Sequence, residues 1–333
     1  MADIKPGCGL EREYLYKKIP LQSPFTLNIV TSTFCNFHCN YCVHSLSDEK
    51  KKELGLIPQL MEWEIFEEIA EQIAEFSVMP KSVFLYGVGE PLCNPELEKM
   101  VGYLKNKYPQ IPVSFISNGA LLDEKRSLSL IDAGLDILRI SIQGLSDENY
   151  KKTCRANILF DEMIQKIKFF YEHKKQCKLY VKIIDTALKI GEEEKFYQLF
   201  GDISDRMFVE KCMPIFEGVK YSEEIKQRVI KDRYGNEHPP RIVCPMTFFT
   251  LSVMPDGEVR PCDNLKCACK LGNIQESSLY HIWNSDILRN FWKMQLENRR
   301  VENRVCRECV APDDVSHKED ELDDYRLELR KRL

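Results

Sequence analysis

Phe25-Thr-Leu-Asn-Ile-Val-Thr-Ser-Thr-Phe-Cys35-Asn-Phe-His-Cys39-Asn-Tyr-Cys42 is the stretch on which the reading of this chain turns. Its first part, Phe25 to Thr31, is rich in β-branched and aromatic residues and reads as a strand. The second part packs three cysteines into the spacing Cys35-x3-Cys39-x2-Cys42. Thiols this close converge on one small centre. A structural zinc site or a closed cluster takes four ligands. Three cysteines leave one position open, as the protein ligands of a catalytic zinc site do. His38 and His44 are alternative fourth ligands if the metal is zinc.

Outward from this stretch, short β-rich runs alternate with helical patterns. Ser82–Tyr86, Val113–Ser117, Ile137–Ile142, Leu179–Ile184 and Met207–Glu210 read as further strands. Trp63–Phe76 carries Ile65, Phe66, Ile69, Ile73 and Phe76 at helical spacing. Glu96–Tyr108, Glu124–Ala133, Phe160–Tyr171 and Glu192–Phe200 read the same way. Such alternation predicts an α/β fold, a partial six-unit (β/α) barrel with a parallel sheet and right-handed crossovers. Chemistry in such folds sits at the C-terminal ends of the strands. The three cysteines follow the first strand, Gly87–Pro91 the second, and Asn118-Gly119 the third.

The expected organisation is an N-terminal extension (1–24), a core (25–218), a polar turn-rich linker (219–240), a small cysteine-rich domain (241–312) and a charged C-terminal helix (313–333). Leu251–Pro261 reads as a hairpin turning at Pro255-Asp256-Gly257. Ser278–Gln295 reads as one amphipathic helix. In the tail, Leu322, Tyr325 and Leu329 form a candidate docking stripe, but the charge around them predicts a solvated helix.

Composition narrows the function classes. The chain has 333 residues, 44% hydrophobic and 30% charged, with a formal net charge of −5. That balance gives no reason to expect nucleic-acid or anionic-membrane partners. No run of 18 apolar residues exists, and Met1–Leu10 lacks the apolar stretch of a secretory signal. A cytoplasmic location is expected. Fourteen cysteines in such a chain point to metal or redox chemistry rather than a disulfide framework. A second set, Cys244-x17-Cys262-x43-Cys306-x2-Cys309, supplies four thiols, enough to close a zinc or [4Fe–4S] site. Cys267 and Cys269 lie close enough in sequence to replace one of them or bind a second metal. As simpler readings, they are unliganded thiols.

Several motifs, in order from Leu21 to Val310, resemble the radical SAM superfamily. The resemblance implies a [4Fe–4S] cluster on Cys35, Cys39 and Cys42 whose open iron binds S-adenosylmethionine. Tyr41 matches an aromatic near the adenine. Gly87-Val-Gly89-Glu90-Pro91 is similar to the family's glycine-rich segment, with Val88 replacing one glycine and Glu90 facing the methionine ammonium. Ser117-Asn118-Gly119 matches a segment near the ribose. Ser141-Ile-Gln143-Gly144 matches another, with Gln143 where aspartate is common. Arg155 matches an arginine on the methionine carboxylate. The second cysteine set, with Leu271-Gly-Asn-Ile and His281-Ile-Trp-Asn-Ser285, resembles the SPASM/twitch extension in its shortened form. That implies one auxiliary [4Fe–4S] cluster and an external flavodoxin- or ferredoxin-type electron donor.

The resemblance implies an oxidoreductase acting on a small polyhydroxylated molecule: a sugar, nucleotide sugar or aminocyclitol. The short segment before the first strand favours this over a peptide substrate. The leading expectation is oxidation of a secondary alcohol, with the auxiliary cluster accepting an electron. Epimerisation or dehydration, peptide modification and a non-catalytic metal scaffold are the alternatives. Epimerisation needs a hydrogen donor, for which Cys212 is the candidate. Asp185, Glu210, Lys211 and Glu217 are candidate polar groups for a base or for substrate contact.

Overall fold

Alternation on the strands decides how the sheet faces. On Ile137–Ile142, Leu138, Ile140 and Ile142 are buried, as are Leu179, Val181 and Ile183 on Lys178–Ile184. Successive side chains on a strand point to opposite faces. The other face of these two strands therefore carries Arg139, Ser141, Tyr180 and Lys182. The aliphatic face packs in one hydrophobic cluster with Phe66 and Ile69, Met100 and Leu104, Leu130, Met163 and Ile167, and Phe196 and Phe200. These come from the helices Trp63–Gln72, Leu97–Lys107, Glu124–Asp132, Phe160–His173 and Glu192–Phe200.

The computed structural model describes residues 1–7, 12–227, 231–315 and 317–333. Among these, the strands are β1 (Asp3–Ile4), β2 (Thr26–Ile29), β3 (Ser82–Phe84), β4 (Val113–Ser117), β5 (Ile137–Ile142), β6 (Lys178–Ile184), β7 (Arg206–Glu210), β8 (Thr250–Val253), β9 (Glu258–Arg260) and β10 (Gly272–Asn273). They form one sheet in the order β1-β7-β6-β5-β4-β3-β2-β8-β9-β10. β2 to β7 are parallel and sequential neighbours. Winding always in one direction makes this the predicted (β/α) barrel-type core. Among the described residues, no helix is long and apolar enough to cross a membrane.

Four features differ from expectation. First, β8 pairs in parallel with β2, so the 251–261 hairpin continues the core sheet. Local sequence cannot reveal a pairing between strands more than 200 residues apart. Second, Ser278–Gln295 is two helices, Leu279–Trp283 and Asp286–Leu296. The break falls at Ser285, whose side chain accepts the Leu288 N–H and caps the second helix. Third, the region expected as a linker is anchored at Asp232 and Arg233. Arg233 N donates to Asp314 O at 2.9 Å and Asp232 is fully buried; residues 228–230 lie outside the described ones. Fourth, the tail is neither one helix nor solvated. It runs as the short pieces Lys318–Asp320, Asp323–Tyr325 and Arg326–Arg332. Leu322 and Leu329 are 1% and 0% exposed, and Tyr325 stacks on Tyr16 at 3.6 Å. Asp323 accepts the Ile242 and Val243 N–H groups, each at 2.8 Å.

Docking by this stripe has a measurable consequence. Leu329→Ala should destabilise the protein by about 2–5 kcal/mol, read as a lower urea midpoint. Leu327→Ala, on the exposed side of the same helix, should shift stability by no more than about 0.5 kcal/mol. Equal shifts in the two variants would contradict the docked stripe.

Candidate iron–sulfur and S-adenosylmethionine site

The loop after β2 carries Cys35, Cys39 and Cys42, and the structure clamps it from two sides. On one side, His38 N donates to Cys154 O at 3.0 Å and Asn40 N to Thr153 O at 2.8 Å. Those carbonyls end the helix Asp147–Cys154, where backbone acceptors are otherwise orphaned. On the other side lies the loop after β3. A Cβ at Gly89 would stand 2.4 Å from Ser32 O and 2.5 Å from Phe34 O. Only glycine permits that approach. Gly87 is held as tightly, since a Cβ there would stand 2.3 Å from the Val30 side chain. These glycines thus admit the neighbouring cysteine loop and its lead-in strand.

Glu90 is buried and makes three hydrogen bonds. Oε1 accepts from Leu92 N at 3.0 Å and from Ser117 Oγ at 2.8 Å, and Oε2 accepts from Asn118 N at 2.7 Å. Burial raises its pKa, against the lowering effect of those bonds. Its first task is internal, joining the loops after β3 and β4. Asn118 extends the network, donating from Nδ2 to Asn36 Oδ1 at 2.8 Å in the cysteine loop. The Tyr41 hydroxyl donates to Gln143 Oε1, and Gln143 Nε2 donates to Ser141 O at 3.0 Å. Two hydrogen-bonded groups therefore meet the cysteine loop, Glu90 with Asn118 at Asn36 and Ser141 with Gln143 at Tyr41. Arg155 stands apart. It is exposed, beside that loop, and ends its helix in the left-handed region at φ 52°.

Burial is the main reason the Cys35 and Cys42 thiols have raised pKa values, with Cys42 pushed up to about 12. For Cys39 the contact with the neighbouring Cys154 thiol comes first, and burial second. Cys154 escaped the sequence reading because it lies outside every cysteine motif. Ligating thiols must lose their protons, and a bound cation compensates that charge.

The later set also converges. Cys244 is pushed up to about 12 by burial and senses Cys306 and Cys309. Cys262 is raised well above its ordinary value by burial and senses Cys244 and Cys309. Nitrogen donors already face these sulfurs. Asn264 Nδ2 lies 3.2 Å and Ala311 N 3.4 Å from Cys309 Sγ, and Gln295 Nε2 lies 3.8 Å from Cys306 Sγ. In the first set, Phe37 N lies 3.4 Å from Cys35 Sγ. Amide donors on cysteine sulfur are a feature of iron–sulfur sites, so both donor sets suit a cluster. Among the described residues, no group of three or more His, Cys, Asp or Glu side chains is tight enough to grip a single metal ion. Cys269 neighbours Cys306, and Cys267 neighbours Cys269 and Glu258.

The candidate substrate residues divide. Glu210 closes on Lys182, 2.7 Å away, with Arg233 at 3.7 Å. Burial raises the Glu210 pKa, but these cations outweigh it and hold the carboxyl below its usual range. Asp185 Oδ1 accepts from Cys212 N at 2.9 Å, and Lys211 Nζ is 3.8 Å from Oδ2. Cys212 is buried. Glu217 is exposed and pairs with Lys266, outside this group.

Comparison with known proteins agrees with the geometry. A model of the radical SAM superfamily matches residues 29–194, and one of the SPASM iron–sulfur cluster-binding domain matches residues 244–310. The chain belongs to the radical SAM superfamily and carries a C-terminal SPASM domain; its cofactors are S-adenosylmethionine and [4Fe–4S] clusters. It is 35% identical to a probable GTP 3′,8-cyclase of Methanococcus maripaludis over 125 residues, 37% of this chain and 38% of that protein. It is 22% identical to the S-adenosyl-L-methionine-dependent 2-deoxy-scyllo-inosamine dehydrogenase of Niallia circulans over 302 residues, 90% of this chain and 97% of that one. Its fold is similar to Streptococcus suis SuiB bound to precursor peptide SuiA, with a TM-score of 0.60 at 18% identity, covering 90% of this chain and 72% of that one.

Two substitutions test the clamp. Gly89→Ala should cut iron after anaerobic reconstitution by about half, because one of two four-iron sites is displaced. Unchanged iron would show that the loop contact is dispensable. Glu90→Gln should cost about 1–3 kcal/mol in thermal or urea stability, since an amide cannot accept at all three donors. A neutral outcome would remove Glu90 from its joining role.

Proposed function

We propose that this enzyme oxidises a secondary alcohol on a small polyhydroxylated substrate. The observation that carries the reading is the second cysteine set. Cys244, Cys262, Cys306 and Cys309 supply four thiols to one auxiliary cluster, so no iron is left open for substrate. Such a centre suits electron transfer. The nearly full-length match to a dehydrogenase supports the same conclusion.

In this reading Cys35, Cys39 and Cys42 hold the first cluster, and Tyr41, Gly87, Gly89, Glu90, Asn118, Ser141, Gln143 and Arg155 surround S-adenosylmethionine. When bound, these cofactors supply a one-electron cleavage of the sulfonium that gives a 5′-deoxyadenosyl radical, and an acceptor for one electron from the substrate. The substrate loses its carbinol hydrogen atom to the deoxyadenosyl group, its hydroxyl proton to a base and one electron to the auxiliary site, and leaves as a ketone. Asp185 is the better candidate base, because Glu210 is occupied by Lys182 and Arg233. A flavodoxin- or ferredoxin-type protein supplies the first electron.

Epimerisation is the second reading, supported by Cys212. That thiol lies near the Tyr221 hydroxyl, which donates to Tyr41 O at 3.0 Å in the cysteine loop. A peptide substrate is the third, on the likeness to a peptide-bound enzyme.

Reconstituted protein should hold about eight iron and eight sulfide per chain; about four, with zinc, rules out the two-cluster arrangement. Cys39→Ala should abolish 5′-deoxyadenosine formation, and persistence of that product ends the radical reading. Turnover in D2O separates the outcomes. A ketone two mass units lighter than substrate supports oxidation, whereas carbon-bound deuterium in an isomeric product supports a thiol donor.

A further inference from the structure

Three cations and three carboxylates gather at the inward face of β5, β6 and β7 and the segments beside it. Lys182 is neutralised by Glu210 at 2.7 Å. Arg233 forks onto Asp314, with Nε 3.0 Å from Oδ1 and a second bond from Nη2 to Oδ2. Asp263 lies beside that second pair. Arg139 is the third cation. It stands two residues before Ser141 on the same strand face, and its charge is felt by both Lys182 and Glu210. Its guanidinium lies 4.8 Å over the Phe84 ring, which stacks on Tyr86 at 4.7 Å. The Arg139 Nε is buried with no hydrogen-bond partner. Among the described residues, no carboxylate forms an ion pair with it.

A buried guanidinium N–H with no acceptor is costly. Its planar fork matches a carboxylate or a phosphate in bidentate geometry. The aromatic stack under it keeps that fork in one plane. We infer that the substrate carries an oxyanion group, carboxylate or phosphate, and that Arg139 binds it inside the barrel with Lys182 alongside. The inference rests on the small-substrate reading above and narrows it. A guanidinium with no ion-pair partner of its own repels the ammonium of an aminocyclitol and selects a sugar acid, a sugar phosphate or a nucleotide sugar.

The test is calorimetric titration of anaerobically reconstituted holoenzyme, saturated with S-adenosylmethionine. The probes are pyrophosphate, malonate and the diaminocyclitol 2-deoxystreptamine. At least one oxyanion should bind, and the tighter of the two identifies phosphate or carboxylate as the group recognised. Arg139→Gln should weaken it about ten- to hundredfold. Arg139→Lys keeps the charge but not the fork and should fall between. Iron and sulfide content verifies each variant; if the Gln variant fails to assemble, the Lys variant carries the comparison. Absent oxyanion binding, binding unchanged by substitution, or tighter binding of the diamine overturns the inference. Failure of the underlying radical reading is seen separately, as wild-type protein that makes no 5′-deoxyadenosine with dithionite.

Discussion

A carboxylate as buried as Glu90 ordinarily needs a cation against it. Here three neutral donors from two loops take that place: Leu92 N, Ser117 Oγ and Asn118 N. The arrangement fixes the loop after β3 to the loop after β4. The Glu90 backbone N–H donates to Phe34 O at 2.8 Å, one residue before Cys35. Three loops from three adjacent strands are thereby joined through one residue. A ligand that must be gripped by all of them meets a site whose parts are already in register. Such preorganisation matters most where a reactive radical has to be aimed and kept from water.

The same sheet carries both thiol groups. β2 runs into Cys35, while β8 pairs with β2 and hands on to β9, which runs into Cys262. Gln295 then links the rest. Its Oε1 accepts from Cys244 N at 3.3 Å, and its Nε2 reaches Cys306 Sγ. Trp292 and Trp283, on consecutive helices, anchor this region by donating to Thr247 O and Leu21 O. Because the pairing is backbone to backbone, the two centres are coupled to one rigid element rather than to a flexible linker. In the proposed oxidation, electron transfer to the auxiliary site benefits from that rigidity.

The core was legible because its signals are local. Period-two apolar alternation and helical spacing gave β4 and β5 their observed ends, and the motif glycines marked where loops meet. What stayed hidden depends on long-range contact or on competing local signals. The apolar period runs on through Asn284-Ser285 and hides the cap that breaks the helix. The charge of the tail conceals Leu322 and Leu329, two buried side chains that decide its fate. In the site, residue types were readable but their partners were not. Glu90 reads as a ligand contact, and only the structure shows that its oxygens already serve neighbouring loops. Gly89 reads as a ligand-facing glycine, but the close approach is by Ser32 and Phe34.

Arg139 was legible in principle, since it shares the face of Ser141 by strand parity. It went unread because one arginine in a strand carries no motif. Its meaning depends on charge accounting across four elements. Glu210 is shared by Lys182 and Arg233, and Asp314 pairs with Arg233, so neither carboxylate forms an ion pair with the third cation. That reassigns Glu210. A carboxylate held low by Lys182 and Arg233 accepts a proton poorly, and it opposes the burial that pushes the Lys182 ammonium pKa down. In the proposed reaction, proton transfer falls to the strand ends, where Cys212 N donates to Asp185. On that proposal, binding and proton transfer occupy different levels of the barrel.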